Sequence, residues 1–208
     1  MYTPAERFAD GIIHLAGICV SVVAVIAMMV AAIPSLPVSA TASLAVYSIG
    51  LLAMFGFSAA YNFLPSPDWK STLRRFDKAA IFVKIAGTYT PFALVKMGGV
   101  AGYALLSAVW VVALLGAAGK LMMKSSWDRM DIALYLALGW AGLVALGPLA
   151  DSVTPSVLAL LGLGGALYSV GVIFHVRQNL KYQNAIWHAF VLAATCCHLG
   201  AVTTAVFA

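Results

Sequence analysis

The sequence predicts an all-α integral membrane protein: a bundle of seven transmembrane helices with a cytoplasmic N-terminus and the C-terminus outside. Three observations lead to this fold class. Of the 208 residues, 63% are hydrophobic and only 9% are charged, whereas a soluble domain carries about 25% charged residues. Seven apolar runs each approach the 20 or so residues that a helix needs to cross a bilayer. The basic residues between the runs lie almost entirely on one side. This composition excludes a soluble enzyme and a disordered regulator.

The seven runs and their short loops take up nearly the whole chain, so the sequence predicts a single domain, residues 1–208. In lipid, only helices and closed barrels satisfy every backbone polar group. The alternating pattern of barrel strands is absent from the sequence, so each run is predicted as a helix. The predicted helices cover residues 11–33, 41–64, 77–97, 100–123, 130–150, 155–176 and 185–207.

The residues between the runs support these helix boundaries, taken here in chain order. The first run is too long, and its start too weakly basic, for a signal peptide, whose apolar stretch has about 7–15 residues. Turn residues 65–68 close the second run, and Gly98-Gly99 separates the third from the fourth. Small residues recur in the fifth and sixth runs, where they favour close helix packing. These residues are Gly139, Gly142, Gly147, Gly162, Gly164, Gly165 and Ala166.

The orientation follows from the basic residues, because lysine and arginine concentrate in cytoplasmic loops. Ten of the 12 lie on the N-terminal side of the predicted bundle: Arg7, Lys70, Arg74, Arg75, Lys78, Lys120, Lys124, Arg129, Arg177 and Lys181. The opposite side has only Lys96, and Lys84 lies within the third run. The excess of basic over acidic residues therefore indicates the orientation of the bundle, and no nucleic-acid partner is expected. The three cysteines show no metal-site spacing.

Polar side chains from the first, second, third and seventh runs gather at one depth, on the cytoplasmic side of the bundle. They are Asp10, His14, Ser58, Asn62, Asp77, Asn184 and His188. Three pairs among them are four residues apart, so each pair shares a helix face. Ionisable groups within a membrane are costly and mark functional sites by default. The sequence therefore predicts a shared polar site, with Asp10 and His14 at its rim.

Two further ionisable residues lie deeper. His198 is about 15 Å beyond His188 and turned by roughly 80°, which assigns it to another layer. Lys84 lies about 10 Å deeper than Asp77 on nearly the same face, so we expect its flexible side chain to support Asp77 and His188. Plainer interpretations stay open: a helix cap for Asp77 or Asp10, and ordinary interhelical hydrogen bonds for the histidines.

Several motifs resemble the hemolysin III family, bacterial relatives of the progestin and adipoQ receptors. They are Arg7-Phe-Ala-Asp10-Gly-Ile-Ile-His14, Ser58-Ala-Ala-Tyr61-Asn62, Arg74-Arg-Phe-Asp77-Lys-Ala-Ala-Ile81 with Gly87-Thr-Tyr-Thr-Pro91, and Ile186-Trp187-His188-Ala-Phe-Val-Leu192 ending in His198. The resemblance covers essentially the whole chain. It implies seven helices with a cytoplasmic N-terminus, in agreement with the charge count.

The resemblance also implies a zinc site near the cytoplasmic face. The family pattern has a serine and a histidine four apart in the second helix, an aspartate in the third, and two histidines four apart in the seventh. Here Ser58, Asp77 and His188 match, but Asn62 and Asn184 stand at two of the histidine positions. Amide oxygens are poorer zinc donors than imidazoles. His188 is thus the only expected metal ligand that is kept, and we expect no tightly bound zinc.

Three functions stay open at this point. The favoured one is a multi-pass protein of the inner (plasma) membrane, acting in membrane-lipid homeostasis or lipid sensing, with membrane lipids as partners. The alternative is a metal-dependent hydrolase of lipid amides or esters, in which Asp77 shuttles protons, Ser58 positions water or an oxyanion, and His188 is a ligand or base. The missing imidazoles count against it. The third is a pore-forming or haemolytic protein, for which polar residues would be expected through the full depth. A homo-oligomer is compatible with all three.

Overall fold

The structure, a computed structural model, describes residues 3–64, 66–122 and 128–208. These residues form α-helices and short helical segments, and no strand occurs in the described ranges. The α-helices are α1 (Pro4–Ser35), α2 (Val38–Phe63), α3 (Pro67–Pro91), α4 (Gly99–Met122), α5 (Asp128–Gly139), α6 (Leu146–Ser152), α7 (Pro155–Val176) and α8 (Gln183–Phe207). Within these ranges, seven helical spans are long and apolar enough to cross a membrane, with α5 and α6 together making the fifth. The predicted all-α membrane fold is confirmed.

Of the helices, α1 and α3 begin furthest ahead of the apolar runs, because their first turns are polar. Thr3 caps α1 through a capping box: its main-chain N–H donates to Glu6 Oε2 over 2.8 Å, and its hydroxyl accepts from the Glu6 N–H. The third span begins at Pro67, a residue suited to the first turn of a helix. Asp10 and Asp77 therefore lie inside helices and do not open them, so neither is a helix cap.

The third span changes geometry near its end. Beyond Pro91 the chain continues as a π-helix over Phe92–Met97 and then turns at Gly98 and Gly99. These glycines have φ angles of 57° and 56°, a backbone conformation that glycine adopts without a steric penalty. The turn closes the third span against the start of α4, at the place where the sequence predicted the boundary.

The fifth span is broken in its middle. After Trp140 the chain forms a 3₁₀-helix over Ala141–Ala145 before α6 begins. Tyr89 of α3 bridges the break, because its hydroxyl donates to the Gly139 carbonyl over 2.7 Å and accepts from the Gly142 N–H over 2.8 Å. A side chain from another helix thus satisfies backbone groups that the break would leave unpaired.

The core of the bundle lies along α2, α3 and α8. Phe82 is fully buried between α3 and α4, and Tyr47 and Val202 lie in the larger cluster that joins α2 to α8. Gly50 allows α2 and α3 to approach closely, because a Cβ there would lie 3.0 Å from the Lys84 Cα. The fifth span is the least buried of the seven.

The small residues predicted at helix contacts divide into two groups. Added Cβ atoms at Gly142, Gly164 and Gly165 would meet Tyr89, His198 and Trp140 respectively. Gly139, Gly147 and Gly162 have nothing within 4 Å of an added Cβ. The first group makes room for aromatic side chains, and for none of the three is the nearest neighbour another helix backbone.

Candidate intramembrane polar site

A cavity of about 850 Å³ lies inside the bundle, within the range of about 300–1,000 Å³ typical of ligand pockets. Its walls are mainly apolar and come from every one of the seven spans. His14, Ser58, Asp77 and His188 line it toward the N-terminal end of the bundle, and Lys84 also borders it. A few polar groups in an apolar chamber can fix the orientation of an amphiphilic ligand.

Asp10 is the centre of the polar site and is only 5% exposed. His188 Nδ1 donates to Asp10 Oδ1 over 2.6 Å, and the Asn184 amide donates to Oδ2 over 2.8 Å. His14 Nδ1 lies 3.5 Å from Oδ1. Both oxygens of the carboxylate are therefore engaged by α8, which packs against α1. The expectation that Asp10 and His14 lie at the rim is wrong, since both are almost fully buried.

His14 connects this carboxylate to the second and third spans. Its Nδ1 donates to the Asp10 carbonyl over 2.9 Å, and its Nε2 lies 3.2 Å from Ser58 Oγ. The Ser58 side chain is in hydrogen-bonding reach of the Asp77 carboxylate. The rings of His14 and His188 are 4.2 Å apart, edge to face. A continuous polar path therefore runs from Asp10 through His14 and Ser58 to Asp77.

The two asparagines brace the site. The Asn184 amide donates to Asn62 Oδ1 over 3.3 Å as well as to Asp10, and the Asn62 amide donates to the Ser58 carbonyl over 2.9 Å. The four predicted helices thus bring together all seven polar residues that the sequence placed at one depth. Their roles as catalytic or polar-site residues stay predictions.

Lys84 and His198 form a separate pair. The Lys84 ammonium lies 3.4 Å from His198 Nδ1 and 4.8 Å from the centre of the Tyr168 ring. Lys84 was expected to support Asp77 and His188, but its ammonium contacts His198 instead. Helical depth placed Lys84 correctly inside the bundle, but the direction of its flexible side chain depends on the space that α7 and α8 leave.

An ion cluster that the sequence analysis missed joins three spans. Asp131 of α5 is 2% exposed, and its Oδ2 lies 3.0 Å from Lys78 Nζ of α3. Lys120 of α4 pairs with its other carboxylate oxygen. The available signal was an acidic residue inside the apolar fifth run, Asp131, near the level of two lysines. Lys78 therefore bonds to a neighbouring helix.

The site contains a set of possible metal ligands. Asp10, His14 and His188 each offer one ligand atom, and these atoms lie within 4.8 Å of one another. Two imidazoles and one carboxylate form a donor set that zinc accepts. Asn62 and Asn184, which stand where the family pattern has histidine ligands, use their amide groups in hydrogen bonds instead. A zinc-type ion could therefore be held by Asp10, His14 and His188 together.

The fold and the site together define a multi-pass membrane protein with a buried polar centre beside an internal cavity. Residues 3–199 match the sequence model of the family described as Haemolysin-III related. The chain belongs to this family, as its motifs indicated.

Bacterial and animal proteins share this similarity. The chain is 33% identical to the Hemolysin-3 homolog of Bacillus subtilis (strain 168) over 195 residues, which are 94% of this chain and 92% of the relative. It is 33% identical to Hemolysin-3 of Bacillus cereus over 190 residues, 91% and 87% of the two chains. The human monocyte to macrophage differentiation factor is 24% identical over 162 residues, 74% and 66% of the two chains. No solved structure matches the chain.

Proposed function

We propose that this protein binds a membrane lipid inside the bundle and acts in lipid sensing or membrane-lipid homeostasis, as a multi-pass protein of the inner membrane. The observation that carries the proposal is the cavity of about 850 Å³, whose apolar walls meet four polar residues at one end: His14, Ser58, Asp77 and His188. Apolar walls suit an acyl chain, and the polar end suits a headgroup with hydrogen-bond donors and acceptors.

The polar end supplies groups of both kinds. Ser58 can donate or accept, and Asp77 accepts when ionised. His188 borders the cavity while its Nδ1 is held by Asp10. Such a fixed arrangement of donors and acceptors can select a headgroup, since an unpaired buried polar group costs free energy. The cluster is braced from four helices, so a bound headgroup would bias how these helices pack.

Native mass spectrometry of the purified protein tests this proposal. We expect co-purified lipid on the wild-type protein and less of it on Gly162→Leu, because Gly162 lines the cavity and has open space beyond its Cα. Gly56→Leu is the matched control, because Gly56 is an exposed helical glycine that also has open space. Wild-type protein without bound lipid would contradict the proposal, as would equal lipid retention in both variants.

A second candidate function is a metal-dependent hydrolase of lipid amides or esters, and it is favoured by the Asp10, His14 and His188 donor set. A divalent ion held by these residues would polarise the carbonyl of the lipid substrate and lower the pKa of a bound water. Ser58 would donate a hydrogen bond to the substrate oxygen, and Asp77 would move protons through its contact with Ser58. The donor set answers the objection raised by Asn62 and Asn184, since it does not need them as ligands.

Elemental analysis separates the two candidates. The hydrolase requires close to one zinc per chain in protein purified without chelator, and a large loss of zinc in both Asp10→Ala and His188→Ala. Asp151→Ala is the control, because Asp151 is an exposed acid in α6. Wild-type protein without metal, even after incubation with zinc, would exclude the hydrolase and leave lipid binding as the function.

A further inference from the structure

Lys84 is a buried cation for which the described part of the chain offers no anionic partner. It is 2% exposed, lies in the middle of the third span and borders the cavity. Within the described residues no carboxylate lies within 4.0 Å of its ammonium; its neighbours there are His198 and the ring of Tyr168. Lys78 and Lys120, by contrast, share the carboxylate of Asp131. An isolated charge at membrane depth is costly and is typically paired.

The surroundings of Lys84 are held in place by other helices. The Lys84 ammonium donates to His198 Nδ1, and His198 also bonds to the main chain of Leu161. Gly164 makes room for the His198 ring, because a Cβ at this position would collide with it. The Tyr168 hydroxyl is bonded to Thr195 Oγ1 over 2.7 Å, which fixes the ring that Lys84 contacts. The ammonium therefore lies in a built pocket with bonding capacity left, since it has three donors.

We propose that Lys84 binds the carboxylate of a single-chain anionic amphiphile, such as a fatty acid, with His198 and Tyr168 holding the ammonium in position. The inference rests on the proposed lipid-binding function of the cavity and names the chemical class of one ligand. One lysine balances one negative charge, which matches a carboxylate better than a phosphate monoester of about −1.5 to −2. The alkyl chain of this ligand lies along the apolar walls of the cavity that Lys84 borders.

Competitive binding of three probes of equal chain length tests this assignment. The probes are radiolabelled palmitate, neutral hexadecanol and hexadecyl phosphate, each measured on the full-length protein in nanodiscs. We expect palmitate to bind tightest to the wild-type protein. A charge-assisted hydrogen bond predicts that Lys84→Met weakens palmitate binding by about tenfold to a hundredfold. Hexadecanol binding should be unchanged in this variant, which retains an apolar side chain of similar length.

Two further variants control for structural effects. Lys96→Met removes a lysine from the same span, outside the residues that line the cavity, and should leave all three affinities unchanged. Lys84→Arg should retain a preference for palmitate over hexadecanol, because it keeps the positive charge. Retention of this preference also shows that position 84 tolerates substitution in a folded protein.

The outcomes distinguish this inference from the function on which it rests. If hexadecanol binds the wild-type protein as tightly as palmitate, or if Lys84→Met leaves palmitate affinity intact, the cavity binds lipid but the role of Lys84 is refuted. Tighter binding of hexadecyl phosphate than of palmitate would refute the carboxylate assignment. If none of the three probes binds, the lipid-binding function fails together with the inference.

Discussion

At Asp10, a single carboxylate organises contacts between the first and last membrane spans. Its two oxygens accept hydrogen bonds from His188 and Asn184, and its own backbone carbonyl accepts one from His14. An aspartate can receive these bonds because, when ionised, it only accepts. An asparagine at this position would present an N–H₂ group to one of the two donors.

The substitution Asp10→Asn should therefore destabilise the protein by about 1.5–3 kcal/mol, the contribution of a hydrogen bond to a charged group. Reversible unfolding in mixed micelles measures the change. Asp151→Asn is the control, since the exposed Asp151 is remote from the polar cluster. Equal stability of the two variants would mean that the carboxylate does not hold α1 to α8.

Sequence reasoning located the residues of this cluster but not its centre. Four-residue spacing fixes which side chains share a face, as for Asn184 and His188, and helical rise fixes their depth. It does not fix how each helix is rotated against its neighbours. Asp10 became central because α8 packs against α1 with His188 facing inward, and Lys84 met His198 for the same kind of reason. These are consequences of packing among residues far apart in sequence.

In the broken fifth span, the side chain of Tyr89 stabilises the backbone of a different helix. Residues 129–152 are apolar enough on average to cross a membrane, so hydropathy gave no sign of the break after Trp140. The break persists because Tyr89, on another helix, bonds to backbone groups on both of its sides. Polar first turns of α1 and α3 escaped the hydropathy pattern for the opposite reason: they are helical without being apolar.

Removing the Tyr89 hydroxyl should loosen this span. In Tyr89→Phe the Gly139 carbonyl and the Gly142 N–H lose their partner, at a cost of about 1–3 kcal/mol. Hydrogen–deuterium exchange should accelerate over residues 139–145 and stay unchanged in α2. Tyr103→Phe, which alters an exposed tyrosine of α4, should leave the exchange of the fifth span as it is. Unchanged exchange in Tyr89→Phe would show that the break is stable without this bond.

For the molecule as a whole, hydrogen bonds between helix ends connect neighbouring spans at the basic end of the bundle. Arg75 of α3 donates to the Leu121 carbonyl of α4, over 3.2 Å, and the Tyr182 N–H before α8 donates to Glu6 of α1, over 2.9 Å. These contacts join the ends of four helices, α3 to α4 and α8 to α1, at the end of the bundle where the basic residues lie. The number of spans was predictable because length and hydropathy are local properties of the chain.

The orientation of the bundle in the membrane stays a prediction, and reporter fusions test it. A reporter fused after Ala208 should be non-cytoplasmic, and one inserted near Asp68 should be cytoplasmic, because the basic residues lie on the side of Asp68. An insertion at Gly98 is the internal control and should behave like the C-terminal fusion. A cytoplasmic reporter after Ala208 would contradict the assigned orientation.

The bond between Asp10 and His188 has a consequence for biosynthesis. Its two residues are 178 positions apart in the chain, and synthesis proceeds at about 5–20 residues per second. The first span is therefore made on the order of ten to thirty-five seconds before the histidine that will bond to its carboxylate. During this interval the nascent α1 carries an acidic group without its final partners. The polar site is complete only after α8 has been made, because this helix supplies both His188 and Asn184 to the Asp10 carboxylate.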